Sequence, residues 1–259
     1  NVYGNPANTW TKGGMCPKGQ SLVELAYSPH RLLYPLKREG NEWKRISYAA
    51  ALDLVAEKIL KVKEEFPDDY ARRVALFAPL WESHESEIVA QMALWMAGFP
   101  EICSSGDTCI GNSATALRLC LGGALSTTTL DEALNAQTLV LWGANIAETY
   151  PPYMRWIDSA REKGVKVVYV DPRRTPTTNH SDTQIMTRPG TDGALILGLI
   201  RILLTEQLYD REYVARHVNG FKELVASAEP YTPEKVSRIT WVPQEKIVEL
   251  AQTLAKSKR

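Results

Sequence analysis

Thr138-Leu139-Val140-Leu141-Trp142-Gly143-Ala144-Asn145 and, one helix length further on, Val165-Lys166-Val167-Val168-Tyr169-Val170-Asp171-Pro172-Arg173-Arg174-Thr175 are the stretches whose reading decides the fold. Each is a short run of apolar and β-branched residues that stops at a turn-forming cluster, the pattern of a strand buried on both faces. Between them residues 151–163 have the length and spacing of a helix, and Gly164 closes it. Strand, helix and strand of these lengths make a βαβ unit, whose strands run parallel through a right-handed crossover.

Working outward, residues 183–187 read as a further short strand and residues 192–207 as a long helix. The remainder is helical over 210–218, 221–228, 233–239 and 243–256, with Thr232 as a cap and Pro233 at the first helical position of the third. Upstream, residues 47–65 repeat apolar side chains at helical spacing, with Leu52, Val55, Ala56, Ile59, Leu60 and Val62 on one face and a stop at Pro67-Asp68-Asp69. Residues 73–78 read as a strand, 86–96 as a helix ended by Gly98 and Pro100, and 112–121 as another helix. Residues 1–45 are rich in Gly, Pro, Asn and Lys and keep no regular period, so they read as loop. The expected fold is α/β: Rossmann-like parallel sheet layers flanked by helices, preceded by a loop-rich segment.

The composition fits a globular protein. Lys and Arg total 30 against 30 Asp and Glu, a formal charge of zero that argues against a nucleic-acid partner. Hydrophobic residues at 44% and charged residues at 23% exclude disorder and collagen-like or coiled-coil repeats. The longest apolar runs fall well short of the ~20 residues that a membrane-spanning helix needs. Asn1 is not an initiator Met, and no signal-peptide zones follow it, so the expectation is a piece of a longer polypeptide whose remainder is its first partner.

In an open parallel sheet, ligands bind beyond the carboxyl ends of the strands. Three such ends carry unusual loops: Gly143-Ala144-Asn145 with Glu148 close behind, Asp171-Pro172-Arg173-Arg174-Thr175, and Arg188-Pro189-Gly190-Thr191-Asp192-Gly193. Gly143 and Gly190 allow close backbone approach, and Asn145 offers donor and acceptor. Asp171 can take hydrogen bonds from ribose hydroxyls or base N–H groups, Arg173 can fork onto a phosphate, and Asp192 can cap a helix or bind a base. A turn or an N-cap explains any one loop by itself; three successive strand ends together point to a nucleotide. The G-x-G-x-x-G fingerprint of a standard dinucleotide site is absent.

These three loops, with Gly13-Gly14-Met15-Cys16-Pro17-Lys18-Gly19, Arg31-Leu32-Leu33-Tyr34-Pro35-Leu36-Lys37-Arg38 and residues 43–53, resemble the molybdopterin oxidoreductases of the dimethyl sulfoxide reductase family, in that family's order along the chain. The resemblance implies a bis(molybdopterin guanine dinucleotide) cofactor around molybdenum or tungsten, a small-molecule substrate, and electron transfer through a 4Fe-4S cluster, with an iron-sulfur subunit as a possible partner. It implies a division into residues 1–45, the end of a 4Fe-4S domain; 46–105, part of a first α/β domain; and 106–259, a second α/β domain binding a pterin guanine dinucleotide. Cys16 matches the last of four cluster cysteines, the other three being expected upstream of Asn1, and Lys18 matches the lysine between cluster and pterin. Cys109 matches the position of the protein ligand to the metal, at a helix start where a thiolate is favoured.

Cys109-Ile110-Gly111-Asn112 is similar to the stretch in tungsten-dependent hydratases of the acetylene hydratase type, in which Ile110 would line the substrate pocket. Formate dehydrogenases usually carry His directly after the ligand, and Ile110 stands there instead. His84, beyond the strand over 73–78, is a candidate for contact with substrate or pterin, whereas His180 reads as a surface or capping residue. Cys103 and Cys120 read as small buried hydrophobes. Alternatives to the oxidoreductase are a non-redox hydratase, a cofactor-free structural relative and a plain nucleotide-binding domain.

Overall fold

A computed structural model describes residues 2–78, 84–99, 102–123, 126 and 128–257. In chain order its regular elements are α1 (Pro17–Gln20), α2 (Leu22–Ala26), β1 (Leu36–Glu39), β2 (Glu42–Arg45), α3 (Tyr48–Glu65), β3 (Leu76–Ala78), α4 (His84–Met96), β4 (Ile102–Ser104) and α5 (Ile110–Leu121). There follow β5 (Thr138–Trp142), α6 (Ile146–Thr149), α7 (Met154–Glu162), β6 (Lys166–Val170), β7 (Thr183–Ile185), α8 (Asp192–Thr205), α9 (Arg211–His217), α10 (Phe221–Ala228), α11 (Pro233–Thr240) and α12 (Gln244–Lys256). The chain divides into two compact units, one of residues 1–24 with 128–259 and the other of residues 25–127. These contact units are cut at other places than the sequence division at 45 and 105.

The first unit is an α/β sandwich around β5, β6 and β7, which lie parallel in that order. Val167 and Tyr169 of β6 face one side, where they pack with Leu141, Met154 and Ile157 against α7. Val168 and Val170 face the other side and join Leu195, Leu199, Ile202, Val236, Ile247 and Leu250 from α8, α11 and α12. This is the period of two expected of a strand whose two faces are both covered. α8 buries Leu195, Gly198, Leu199 and Ile202, one stripe at i, i+3, i+4 and i+7. Gly198 is required there, because a Cβ would lie 2.7 Å from Val236 Cγ2 on α11. Thr232 caps α11 by accepting from Lys235 N, with Pro233 leading the helix. The register aligns Trp142, Val170 and Ile185 in one row, so the three loops that follow share one carboxyl edge.

The second unit repeats the alternation on a smaller scale. β3 and β4 pair in parallel, Leu76 opposite Ile102, with α4 between them. Ser47 caps α3 by accepting from Ala50 N at 3.1 Å, as Ser before an apolar period should. α3 and α5 bury no residue.

Several sequence expectations are corrected. Residues 1–45 are not all loop: they hold α1, α2 and the antiparallel hairpin β1–β2, which turns at Gly40 (φ 63°). The signal was Gly40-Asn41 between two four-residue runs, a two-residue hairpin turn. Cys103 and Cys120 are exposed rather than buried, because a two-stranded sheet and a helix with no buried residue give them no covering layer. β3 and β7 are shorter than expected, and the helix over 151–163 begins as a 3-10 turn over Pro151–Tyr153 before α7.

Candidate functional site

Each of the three strand ends is built by local chemistry. After β5 the chain reverses at Gly143, whose φ of 60° suits glycine, and Gly143 N donates to Val170 O at 2.8 Å, tying the loop to β6. Asn145 then precedes α6 with its side chain buried. Its Oδ1 accepts from Thr177 Oγ1 at 2.8 Å, its Nδ2 donates to Glu148 Oε2, and Thr177 Oγ1 in turn accepts from Ala147 N at 3.0 Å. The loop after β5 is thereby stitched to the segment after β6.

After β6, Asp171 is buried; its N donates to Ile185 O at 3.1 Å and its Oδ1 accepts from Arg173 N at 2.9 Å, which sets the turn. Thr175 caps the 3-10 turn Pro176–His180 through a capping box. Its hydroxyl also meets Tyr169 OH at 3.0 Å. Burial pushes the Tyr169 phenol above its ordinary value, and the neighbouring Asp171 carboxylate adds to the rise. After β7, Arg188 N donates to Thr240 O at 2.8 Å, Gly190 turns the chain at φ 78°, and Asp192 opens α8. Asp192 Oδ1 accepts from Trp142 Nε1 at 2.8 Å, which links the first and third strand ends.

The edge therefore gathers Gly143, Asn145, Glu148, Asp171, Arg173, Gly190 and Asp192, all seven of the sequence-predicted nucleotide residues. Arg173, Arg174 and Arg188 are exposed there, and none pairs with a carboxylate among the described residues. A Cβ at Gly143 or Gly190 would meet nothing within 4 Å, so the space above these turns is open, as it is beside Gly193 in the first turn of α8. Unpaired guanidinium groups beside open glycine turns are what an anionic ligand with a bulky backbone-hugging group requires.

Cys16 and Lys18 belong to the same unit. The segment before α1 lies on α7, where Arg155 Nη1 donates to Lys12 O and Trp156 Nε1 to Trp10 O, each at 2.8 Å, and Lys12 lies over the Trp156 ring. Gly14 fits tightly beside Pro152, just beyond α6. Cys16 precedes α1, and the Gly19 backbone N–H holds its thiol below the ordinary value, with the Lys18 charge assisting. Cys109 and Ile110 lie in the other unit: Cys109 is the exposed residue before α5 and donates its N–H to Gly106 O, and Ile110 is the first residue of the helix. The His84 side chain lies outside the described residues. Among those described, no group of three or more His, Cys, Asp and Glu side chains could hold a metal ion.

Sequence reading missed the supports beneath these residues. Trp142 orients Asp192, Thr177 orients Asn145, and the paired hydroxyls of Tyr169 and Thr175 brace the segment after β6; only the Thr175-Pro176 cap carried a local signal. His180 is half-exposed and holds Asp158 of α7 at 2.7 Å through Nδ1.

The family model described as molybdopterin oxidoreductase matches residues 31–254. The chain belongs to the molybdopterin oxidoreductase family. Among relatives in this family, the F420-dependent formate dehydrogenase subunit alpha of Methanocaldococcus jannaschii is 28% identical over all of this chain and 37% of its own length. The acetylene hydratase of Syntrophotalea acetylenica is 30% identical over 91% of this chain and 32% of its own. The assimilatory nitrate reductase catalytic subunit of Bacillus subtilis is 30% identical over 84% and 30%, respectively. A solved structure, the acetylene hydratase from Pelobacter acetylenicus, matches with a TM-score of 0.77 and 29% identity, covering 93% of this chain and 33% of that one. The chain thus spans about a third of the length of these family members, and their different reactions lie at nearly equal identity.

Proposed function

We propose that this chain is part of the catalytic subunit of a molybdenum or tungsten oxidoreductase that carries a bis(molybdopterin guanine dinucleotide) cofactor. The observation that carries the reading is the row of three strand ends, where open glycine turns, two oriented carboxylates and three arginines without carboxylate partners converge. The residues fit the nucleotide arm of such a cofactor. Gly143 and Gly190 would admit its backbone-hugging phosphates, Arg173, Arg174 and Arg188 would balance their charge, and Asp171 and Asp192 would accept from hydroxyl and base N–H groups. Asn145 and Glu148 would hold the first turn in shape, since each already bonds the other.

Cys109 would be the protein ligand to the metal, with Ile110 and His84 bordering the substrate. When bound, the metal and its dithiolenes supply two-electron oxygen-atom or hydride-equivalent transfer. Cys16 would be one of four ligands to a 4Fe-4S cluster. One thiol cannot hold a cluster, so the other three would come from outside these 259 residues. Lys18 would set a cation between cluster and pterin. The remaining polypeptide and an iron-sulfur electron-transfer subunit would be the partners.

Replacing Arg173, Arg174 and Arg188 together by Gln in the intact protein is expected to lower its guanine nucleotide content while far-UV circular dichroism stays unchanged. Undiminished nucleotide would contradict the assignment. Cys109→Ala is expected to reduce bound molybdenum or tungsten, and Cys16→Ser to abolish the cluster's electron paramagnetic resonance. Lys18→Met is expected to slow electron transfer with both centres present. A second reading is a non-redox hydratase, favoured by Cys109-Ile110-Gly111-Asn112 and by the likeness to acetylene hydratase over 93% of this chain. Turnover without any external electron acceptor would select it. Absence of molybdenum and tungsten from the intact protein would instead select a cofactor-free structural relative.

A further inference from the structure

Trp241 stands where a helix end favours glycine. α11 stops at Thr240, and Trp241 follows in the left-handed region at φ 64°, a conformation that Gly or Asn takes readily and a bulky side chain resists. Core packing does not account for the indole. Trp241 is 69% exposed, whereas Thr240 and Val242 on either side are 0% and 1% exposed. The backbone is thus pinned by its neighbours while the ring is turned out to solvent. Strain held in place by well-packed neighbours is a common mark of a position kept for its side chain.

The ring stands at the carboxyl edge of the sheet. Thr240 O accepts from Arg188 N at 2.8 Å, which fastens the end of α11 to the loop after β7. The Arg188 guanidinium lies 5.2 Å from the Trp241 ring centroid, a cation–π contact that covers part of the ring and leaves most of it open. From Arg188 the same loop runs through the open turn at Gly190 to Asp192, whose carboxylate Trp142 orients. An exposed aromatic plane at the end of α11 is therefore fastened beside a loop that carries a guanidinium without a carboxylate partner among the described residues and a fixed carboxylate.

We infer that Trp241 is the stacking platform for the purine base of the dinucleotide, with Arg188 beside it drawing the phosphates and Asp192 accepting from the base edge. This rests on the dinucleotide reading above and adds to it a residue outside the three strand-end motifs. The indole and a bicyclic base match in area, so Trp241 supplies affinity and stacks a purine over more of its ring than a pyrimidine, and Asp192 supplies the choice among purines.

Trp241→Gly separates a binding role from a structural one, because it removes the ring and relieves the left-handed strain together. In the intact protein produced without its cofactor, with GDP as probe, Trp241→Gly is expected to raise the melting temperature yet weaken GDP binding by roughly tenfold. Trp241→Phe keeps most of the affinity, and wild type prefers GDP to CDP by a margin that shrinks in Trp241→Gly. A Trp241→Gly variant that binds GDP as well as wild type overturns the inference. Wild type that fails to bind GDP overturns it too, and guanine nucleotide analysis of the cofactor-loaded protein then shows whether the dinucleotide reading falls with it.

Discussion

α8 and α3 are both long helices with an apolar stripe, and they end in opposite situations. α8, 14 residues, buries Leu195, Gly198, Leu199 and Ile202 between the sheet and α11. α3, 18 residues, buries nothing, and Leu52, Val55 and Leu60 on its stripe are 68%, 57% and 58% exposed. The same contrast holds between the units: β5–β6–β7 is covered on both faces, whereas β3–β4 is a two-stranded sheet that leaves its own Phe77 exposed, as are Ile88 and Trp95 of α4. Helical periodicity records a face that can be buried; a cover must still be supplied.

Urea unfolding of matched variants can break this comparison. Leu195→Ala is expected to cost about 2–5 kcal/mol, the range for truncating a fully buried leucine. Leu52→Ala in the same chain is expected to change stability by less than about 0.5 kcal/mol. Equal costs would mean that the α3 stripe is buried after all. Gly198→Val tests the tight crossing of α8 and α11 from the other direction. The stiff, buried Val236 cannot move aside, so overpacking should destabilise by about 1–3 kcal/mol.

Within the first unit, Asn145→Ala removes one of the two bonds that stitch the loop after β5 to the segment after β6, leaves the buried Thr177 hydroxyl without its acceptor, and frees Glu148 within the loop. A loss of about 1–3 kcal/mol is expected in the same assay. The smallest effect is pH-dependent. Val167 N–H, assisted by Arg161, holds the Asp182 carboxyl below its ordinary value, so its contribution is present above the unfolded value of 3.8 and is lost as pH falls through the depressed folded value. The stability gap between wild type and Asp182→Asn should therefore be constant near neutrality and narrow below about pH 4; a gap that widens on acidification would contradict this.

The sheet was legible because β5 and β6 are short, uninterrupted apolar runs bounded by turns, and Thr138–Trp142 has the same limits in sequence and structure. Thr232 was equally readable as a cap, since a side chain that satisfies a helix start does so locally. The hairpin β1–β2 was missed because all eight of its residues are exposed, which leaves no alternation to read. The exposure of Cys103 and Cys120 was misjudged for the same reason as the α3 stripe, that pattern does not reveal cover. At the candidate site, the loops could be read because Gly, Asp and Arg cluster after strands. Their supports could not, because Trp142 with Asp192 and Asn145 with Thr177 meet across 50 and 32 residues of chain.

The central claim is that the carboxyl edge of β5–β6–β7 holds a pterin guanine dinucleotide. Acid release of nucleotide from the intact purified protein, with metal analysis of the same sample, tests it most directly. The account predicts guanine nucleotide together with molybdenum or tungsten, both diminished when Arg173, Arg174 and Arg188 are replaced by Gln. A folded intact protein that contains neither guanine nucleotide nor either metal would contradict it.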